Sequence, residues 1–268
     1  MQDNQSNKQS FAIPVAIVLA GLLIGGAVYM SGKGGIKAGG IANPLAQAAR
    51  DITIRPISAA DHILGSANAQ IAIVEYSDTE CPFCKNFHTT LQTIMSTYGT
   101  SGKVSWVYRH FPISQLHSKA PHEAQATECA ADQGKFWPYI DAVYSTTQSN
   151  NSLDSAQLPV IAKSVGLDVD AFNACLSSDK HVADITASVA EAQNAGANGT
   201  PSSFLVLATP MSQKTANDVT LLYASLKLPD GSLPVTINKA RTIVGISGAL
   251  PIDYIKATVD TILGTKVN

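Results

Sequence analysis

At 268 residues, of which 45% are apolar, the chain is long enough for one large domain or two small ones around a buried core. The 18 Lys and Arg nearly balance the 20 Asp and Glu, for a formal charge of −2, and no basic run is interleaved with aromatic residues. Counterion release therefore has little to act on, which excludes a nucleic-acid-binding role.

Residues 1–10 form a short N-terminal tail. Residues 11–30 carry no charge, and at about 1.5 Å per residue they reach across the roughly 30 Å hydrocarbon core of a bilayer, which predicts a transmembrane anchor. Pro14, Gly21, Gly25 and Gly26 are tolerable in such a helix. Ala46-Gln47-Ala48 has the small-x-small form of a processing site but lies far beyond the apolar run, so an uncleaved signal-anchor is expected. Lys8 before the segment and Lys33 and Lys37 after it would, by charge counting, leave the bulk of the chain in the cytoplasm. The four cysteines argue the other way: all lie beyond the anchor and can pair two and two, as in an oxidising compartment. The folded part is therefore expected on the extracytoplasmic side of the cell membrane.

Residues 31–50 are rich in Gly and Ala and read as a flexible linker, with the folded domain running over 51–268. Ile52-Thr53-Ile54 alternates as a short strand does, and 61–65 has the composition of a turn. A strand over 71–76 delivers the chain to Cys81-Pro82-Phe83-Cys84, after which Phe87, Leu91, Ile94, Met95 and Tyr98 recur at helical spacing until Gly99. Another strand follows at 104–110. From 118 to 195 the pattern turns helical, with segments at 119–133, 136–144, 155–165, 169–177 and 180–195. Strands resume at 203–208 and 241–246, and a closing helix spans 252–263. Residues 209–240 form a long polar connection whose centre, 219–226, looks strand-like; a connection of that length inside a domain carries function or disorder. The order predicts an α/β, thioredoxin-like fold with an inserted helical subdomain, preceded by one transmembrane helix.

A CxxC between a strand and a helix is a redox dithiol in outline. A cysteine at a helix start has its thiolate stabilised by unpaired backbone N–H groups and the helix dipole, which makes Cys81 the nucleophile. Cys84, one turn inside, resolves. A CxxC can also be half of a zinc site, but the other two cysteines, at 129 and 175, are far away and apart. Those two are either buried free thiols or a structural disulfide bracing the helical block, and an extracytoplasmic location favours the disulfide.

The stretch from Ile73 to Phe87 resembles the active-site strand and helix of DsbA-like thiol-disulfide oxidoreductases, particularly their membrane-anchored bacterial branch. Tyr108-Arg109-His110-Phe111-Pro112, Glu128-Cys129 through Phe136-Trp137, and Gly199-Thr200-Pro201-Ser202-Ser203-Phe204 occur in that family's order and spacing, and residues 209–240 depart from it. The resemblance implies that Thr200-Pro201 holds a cis peptide facing the dithiol. Thr200, Pro201, Pro82 and Phe83 would then meet the substrate. It also implies that Glu75 lies beneath the dithiol and takes the proton of Cys84. No metal or dissociable cofactor is needed for such exchange. The implied partners are cysteine-containing exported proteins and a membrane quinone-linked reoxidising protein, DsbB-like or VKOR-like. An oxidase is the expected activity; a reductase or isomerase, or a non-catalytic tethered peptide-binding module, are the alternatives.

Overall fold

Seven strands form one mixed sheet, in the order β1-β6-β7-β5-β3-β4-β2, in a computed structural model that describes residues 49–50 and 52–265. The strands are β1 (Ala49–Arg50), β2 (His62–Leu64), β3 (Ile71–Ser77), β4 (Val104–His110), β5 (Ser202–Leu207), β6 (Val235–Asn238) and β7 (Ile243–Ser247). The helices are α1 (Pro82–Ile94), α2 (Ala120–Ala131), α3 (Phe136–Thr146), α4 (Gln157–Ser164), α5 (Val169–Leu176), α6 (Val182–Asn194), α7 (Gln213–Leu222) and α8 (Ile252–Leu263). The predicted tail, anchor and most of the linker lie outside the described residues. Among those described, no helix is long and apolar enough to cross a membrane.

Strand β3 sits at the centre, parallel to β4 and antiparallel to β5. Both faces of it are covered, so its sequence is nearly continuously apolar. The two-residue period sorts its side chains: Ile71 and Ile73 enter the core under α1 with Phe87, Leu91 and Ile94, while Val74 and Tyr76 enter the opposite core with Val107, Phe204 and Ala192 of α6. Burying the apolar side chains of α1 stabilises by about 1.5–3 kcal/mol each. Glu75 and Ser77 share the period of Ile71 and Ile73, which directs an acid and a hydroxyl to the α1 face. On the opposite face Arg109 bonds Asp61, Glu191 and the Tyr76 hydroxyl, pinning α6 to the sheet.

Helices α2 to α5 enclose a second core containing Tyr139, Val143, Leu158, Ile161 and Phe172. Cys129 of α2 and Cys175 of α5 are joined there in a disulfide, across a sequence separation of 46. Opening a loop of that length lowers stability by about 4 kcal/mol in the chain-entropy model. The double replacement Cys129→Ser with Cys175→Ser is therefore expected to lower the denaturation midpoint while leaving the Cys81–Cys84 reduction potential in place. Paired urea and redox titrations check both halves.

Four local expectations are corrected. Residues 52–54 are not a strand: Ile52 is buried against Phe204, so their alternation records packing rather than pairing. The pairing at that end belongs to β1, which runs parallel to β6 and carries the sheet two residues upstream of Asp51. Residues 62–64 are not a turn but an edge strand antiparallel to β4, closed by Gly65 at φ +97°. The strand-like centre, 219–226, is not a strand: its second half lies in a turn and its first half in the preceding helix α7, capped by the Ser212 side chain accepting from Thr215 N–H. Ala216, Val219, Thr220 and Tyr223 are its buried positions, a helical spacing that the β-branched residues disguise. The connection also supplies β6, antiparallel to β7.

Candidate active site

Cys81 occupies the cap position of α1, with an extended backbone (φ −78°, ψ 120°), and Pro82 begins the helix. Proline suits that position because its ring presets the helical φ and its missing N–H would have had no intrahelical partner. The first turn of α1 carries no acid, and the backbone N–H groups of Phe83 and Cys84, which have no intrahelical partner, favour the thiolate of Cys81 at the helix start. Cys81 and Cys84 are both free thiols; Cys84 is fully buried and Cys81 nearly so, while Phe83 is 63% exposed. The Thr200–Pro201 bond is cis, and the Thr200 carbonyl oxygen lies 3.4 Å from Cys81 Sγ. Six of the sequence-predicted residues, Cys81, Pro82, Phe83, Cys84, Thr200 and Pro201, are thus brought to one locus beyond the end of β3.

The two thiols are driven apart. A hydrogen bond from Cys84, followed by the Thr200 side chain and the N–H groups of Cys84 and Phe83, draws Cys81 down to about 6 against the opposing effect of burial. Burial and the adjacent Cys81 sulfur push Cys84 well above the ordinary thiol range. At neutral pH this makes Cys81 a thiolate and Cys84 a thiol.

Beneath them Glu75 is fully buried, and burial pushes its carboxyl up to about 7 although two hydrogen bonds oppose the shift. Ser77 Oγ donates to Glu75 Oε1 at 2.8 Å and Trp106 Nε1–H donates to Oε2 at 2.9 Å. The Ser77 hydroxyl also opposes the upward push on the Cys84 thiol, so it acts on both Cys84 and Glu75. Tyr144 Oη lies 2.9 Å from Ser77 Oγ and 3.3 Å from Tyr108 Oη, completing a buried polar layer under the dithiol. Reading the sequence by itself overlooks Ser77, Trp106, Tyr108 and Tyr144. For Ser77 the signal was present in the period of β3; the aromatics come from β4 and α3 and carry no local mark.

Two further acids hold the turn before Cys81, and both were visible beside the CxxC. Asp78 accepts from Glu80 N–H at 2.9 Å, from Ile113 N–H at 2.8 Å and from His117 Nδ1 at 2.9 Å, fixing the loop after β4. Glu80 accepts from the Thr147 hydroxyl at 2.9 Å and from Ser152 and Leu153 N–H at 3.1 Å. Its carbonyl accepts from Asn150 N–H at 2.7 Å, within a run, Ser149 to Asn151, in the left-handed region.

Two groups of side chains have the composition of metal sites among the described residues. One, Cys129, Cys175 and His181, is discounted because both sulfurs are spent in the disulfide. The other is His62, His110 and Glu128, outside the dithiol site.

A protein-family model for thioredoxin matches residues 58–209, more than half of the chain. The chain belongs to the thioredoxin family. Within it the fold is DsbA-like. Wolbachia pipientis alpha-DsbA1 superposes with a TM-score of 0.57 over 78% of this chain and 93% of its own, at 23% identity. Pseudomonas aeruginosa DsbA2 gives 0.53 over 80% and 100%, at 22% identity, and Bacillus subtilis BdbD, in its oxidised form, 0.56 over 80% and 100%, at 16%. These likenesses establish the fold. Among curated proteins, the Na(+)/H(+) antiporter NhaA of Herminiimonas arsenicoxydans is 34% identical over 145 residues, which are 54% of this chain and 22% of the antiporter. An NhaA of Salinispora tropica is 32% identical over the same length. The chain thus spans about a fifth of the length of these relatives. Family, fold and dithiol together place a strand-to-helix CxxC with two free thiols in a DsbA-like member of the thioredoxin family.

Proposed function

We propose that the protein is a disulfide donor to exported, cysteine-containing proteins, tethered to the outer side of the cell membrane by residues 11–30 and reoxidised by a quinone-linked membrane partner. One observation carries the direction: the Cys81 thiolate, capping α1, is held at about 6. Stabilising the thiolate stabilises the reduced form, which makes the disulfide a stronger oxidant, and each pKa unit is worth about 1.4 kcal/mol, or about 30 mV for a two-electron couple. The oxidising compartment is supported by the Cys129–Cys175 disulfide.

In the exchange, a substrate thiolate attacks Cys81 of the oxidised pair and releases Cys84, which leaves as a thiolate and takes a proton from Glu75 by way of Ser77. A second substrate thiolate then displaces Cys81, and the substrate leaves oxidised by two electrons. Phe83 and Leu116, 63% and 67% exposed, offer apolar surface to an unfolded client, with Thr200 beside the reacting sulfur. A reductase is the second reading, favoured by Pro82-Phe83, which places no cation beside the thiolate.

The equilibrium potential against glutathione buffers separates the two. The expected value lies above about −230 mV, on the oxidising side of thioredoxin's approximately −270 mV. A value below that range would make the protein a reductase.

A further inference from the structure

Strands β2 and β4 pair antiparallel with His62 opposite Tyr108. His110 lies two residues beyond Tyr108, so by the strand period His62, Tyr108 and His110 stand on one face of the sheet. Helix α2 crosses that face and lowers Glu128 between the two imidazoles. His62 Nε2 and His110 Nε2 each lie 2.8 Å from the same oxygen, Glu128 Oε1. All three ligand atoms fall within 4.8 Å of one another.

The geometry assigns His62, His110 and Glu128 as a binding site for a divalent transition-metal ion of the zinc class. Two imidazoles and a carboxylate are a set that zinc accepts, and with bonds of about 2.0–2.2 Å its tetrahedral ligand atoms stand about 3.3 Å apart. Opening the present 2.8 Å separations to that value needs a shift of about half an ångström in each. The rings are already oriented. His62 is stacked on Phe136 with centroids 3.6 Å apart and planes within 6°, and His110 stands edge-on to Tyr108 at 5.3 Å. His110 is buried, whereas the side chains of His62 and Glu128 keep 18% and 17% of their surface open, a route for the ion and for a water as fourth ligand. Thr127 Oγ1, 3.3 Å from His110 Nε2, is the other polar group at the site. The ligands come from three elements, so a bound ion would fasten α2 to the sheet. The neighbouring Cys129 fastens the same helix to α5.

The test uses the full-length chain with Cys81 and Cys84 oxidised to each other, so that no thiolate competes, stripped with a chelator and titrated with zinc alone. The expected result is one zinc retained per chain after desalting and a melting temperature that rises with zinc. H62A and E128Q should each weaken binding by at least tenfold, while H181A, at the other histidine-containing cluster, should leave it unchanged. Cobalt provides the second readout, with tetrahedral visible bands in the parent chain that are absent from H62A. Both substitutions lie outside the dithiol site, so retained disulfide exchange shows that the variants are folded. Less than one zinc per chain, or binding that survives both H62A and E128Q, overturns the assignment and leaves the trio a hydrogen-bonded knot.

Discussion

Cys81→Ser is expected to reduce disulfide exchange to background, a loss on the order of 10³-fold or more, as for removal of other activated nucleophiles. Cys84→Ser is expected to do something different: accumulate mixed disulfides between Cys81 and client proteins. The asymmetry follows from position. Cys81 caps α1 beside Thr200, where an incoming sulfur can approach, and is drawn down to about 6; Cys84 is fully buried one turn inside, where only Cys81 reaches it. Without Cys84, nothing inside the protein resolves the adduct, and its lifetime is set by a second external thiol. Non-reducing gels with mass spectrometry of the adducts check this. Adducts formed by Cys81→Ser in place of Cys84→Ser would reverse the assignment. Client binding and biological function left intact in Cys81→Ser would instead support a non-catalytic binding module with a structural dithiol.

The dithiol was legible because its signals are local. An apolar run, a CxxC with proline inside it and a helical repeat occupy adjacent stretches, and each has one plausible structure. Glu75 was legible only through resemblance, although the two-residue period of β3 places it with Ile71 and Ile73 on the α1 face. The layer beneath the dithiol was not legible, because Trp106 reaches Glu75 from 31 positions away, Tyr144 reaches Ser77 from 67, Tyr108 joins through Tyr144, and all three look like ordinary core aromatics. The 209–240 connection misled for a different reason. Val219 and Thr220 favour strands locally, whereas packing of Val219 and Tyr223 beside α8 favours a helix, and packing wins. The edge strands β1 and β2, two and three residues long, are too short to display a period at all.

Glu75→Gln should cost activity and add stability at once, which separates a proton carrier from a structural acid. Burial holds the Glu75 carboxyl at about 7 against an ordinary 4.5, so the folded protein keeps this proton over a range where the unfolded chain has lost it. Below about pH 4.5 both states are neutral and the fold is at its most stable with respect to this group. As pH rises from there through about 7 the unfolded chain ionises first and stability falls, and above 7 the loss is complete. That difference between folded and unfolded chain corresponds to about 3 kcal/mol. Glutamine never ionises. Reduced wild type and variant should therefore unfold at similar denaturant concentrations at pH 4, and the variant should be the more stable by up to about 3 kcal/mol at pH 8. Trp106 N–H still finds the amide oxygen as acceptor, and the Ser77 hydroxyl can turn to accept from the amide nitrogen. Glu123, another buried acid pushed up, to about 8, adds its own slope to both proteins and cancels in the comparison. Exchange should meanwhile slow by about 10²-fold, the low end for a lost general acid or base, because the Cys84 proton has no carboxyl to move to or from. Denaturation midpoints from pH 4 to 8, set beside single-turnover exchange rates, test both arms. A variant that loses stability at pH 8, or keeps its full rate, would show Glu75 to be a packing residue and leave Ser77 and Tyr144 to carry the proton.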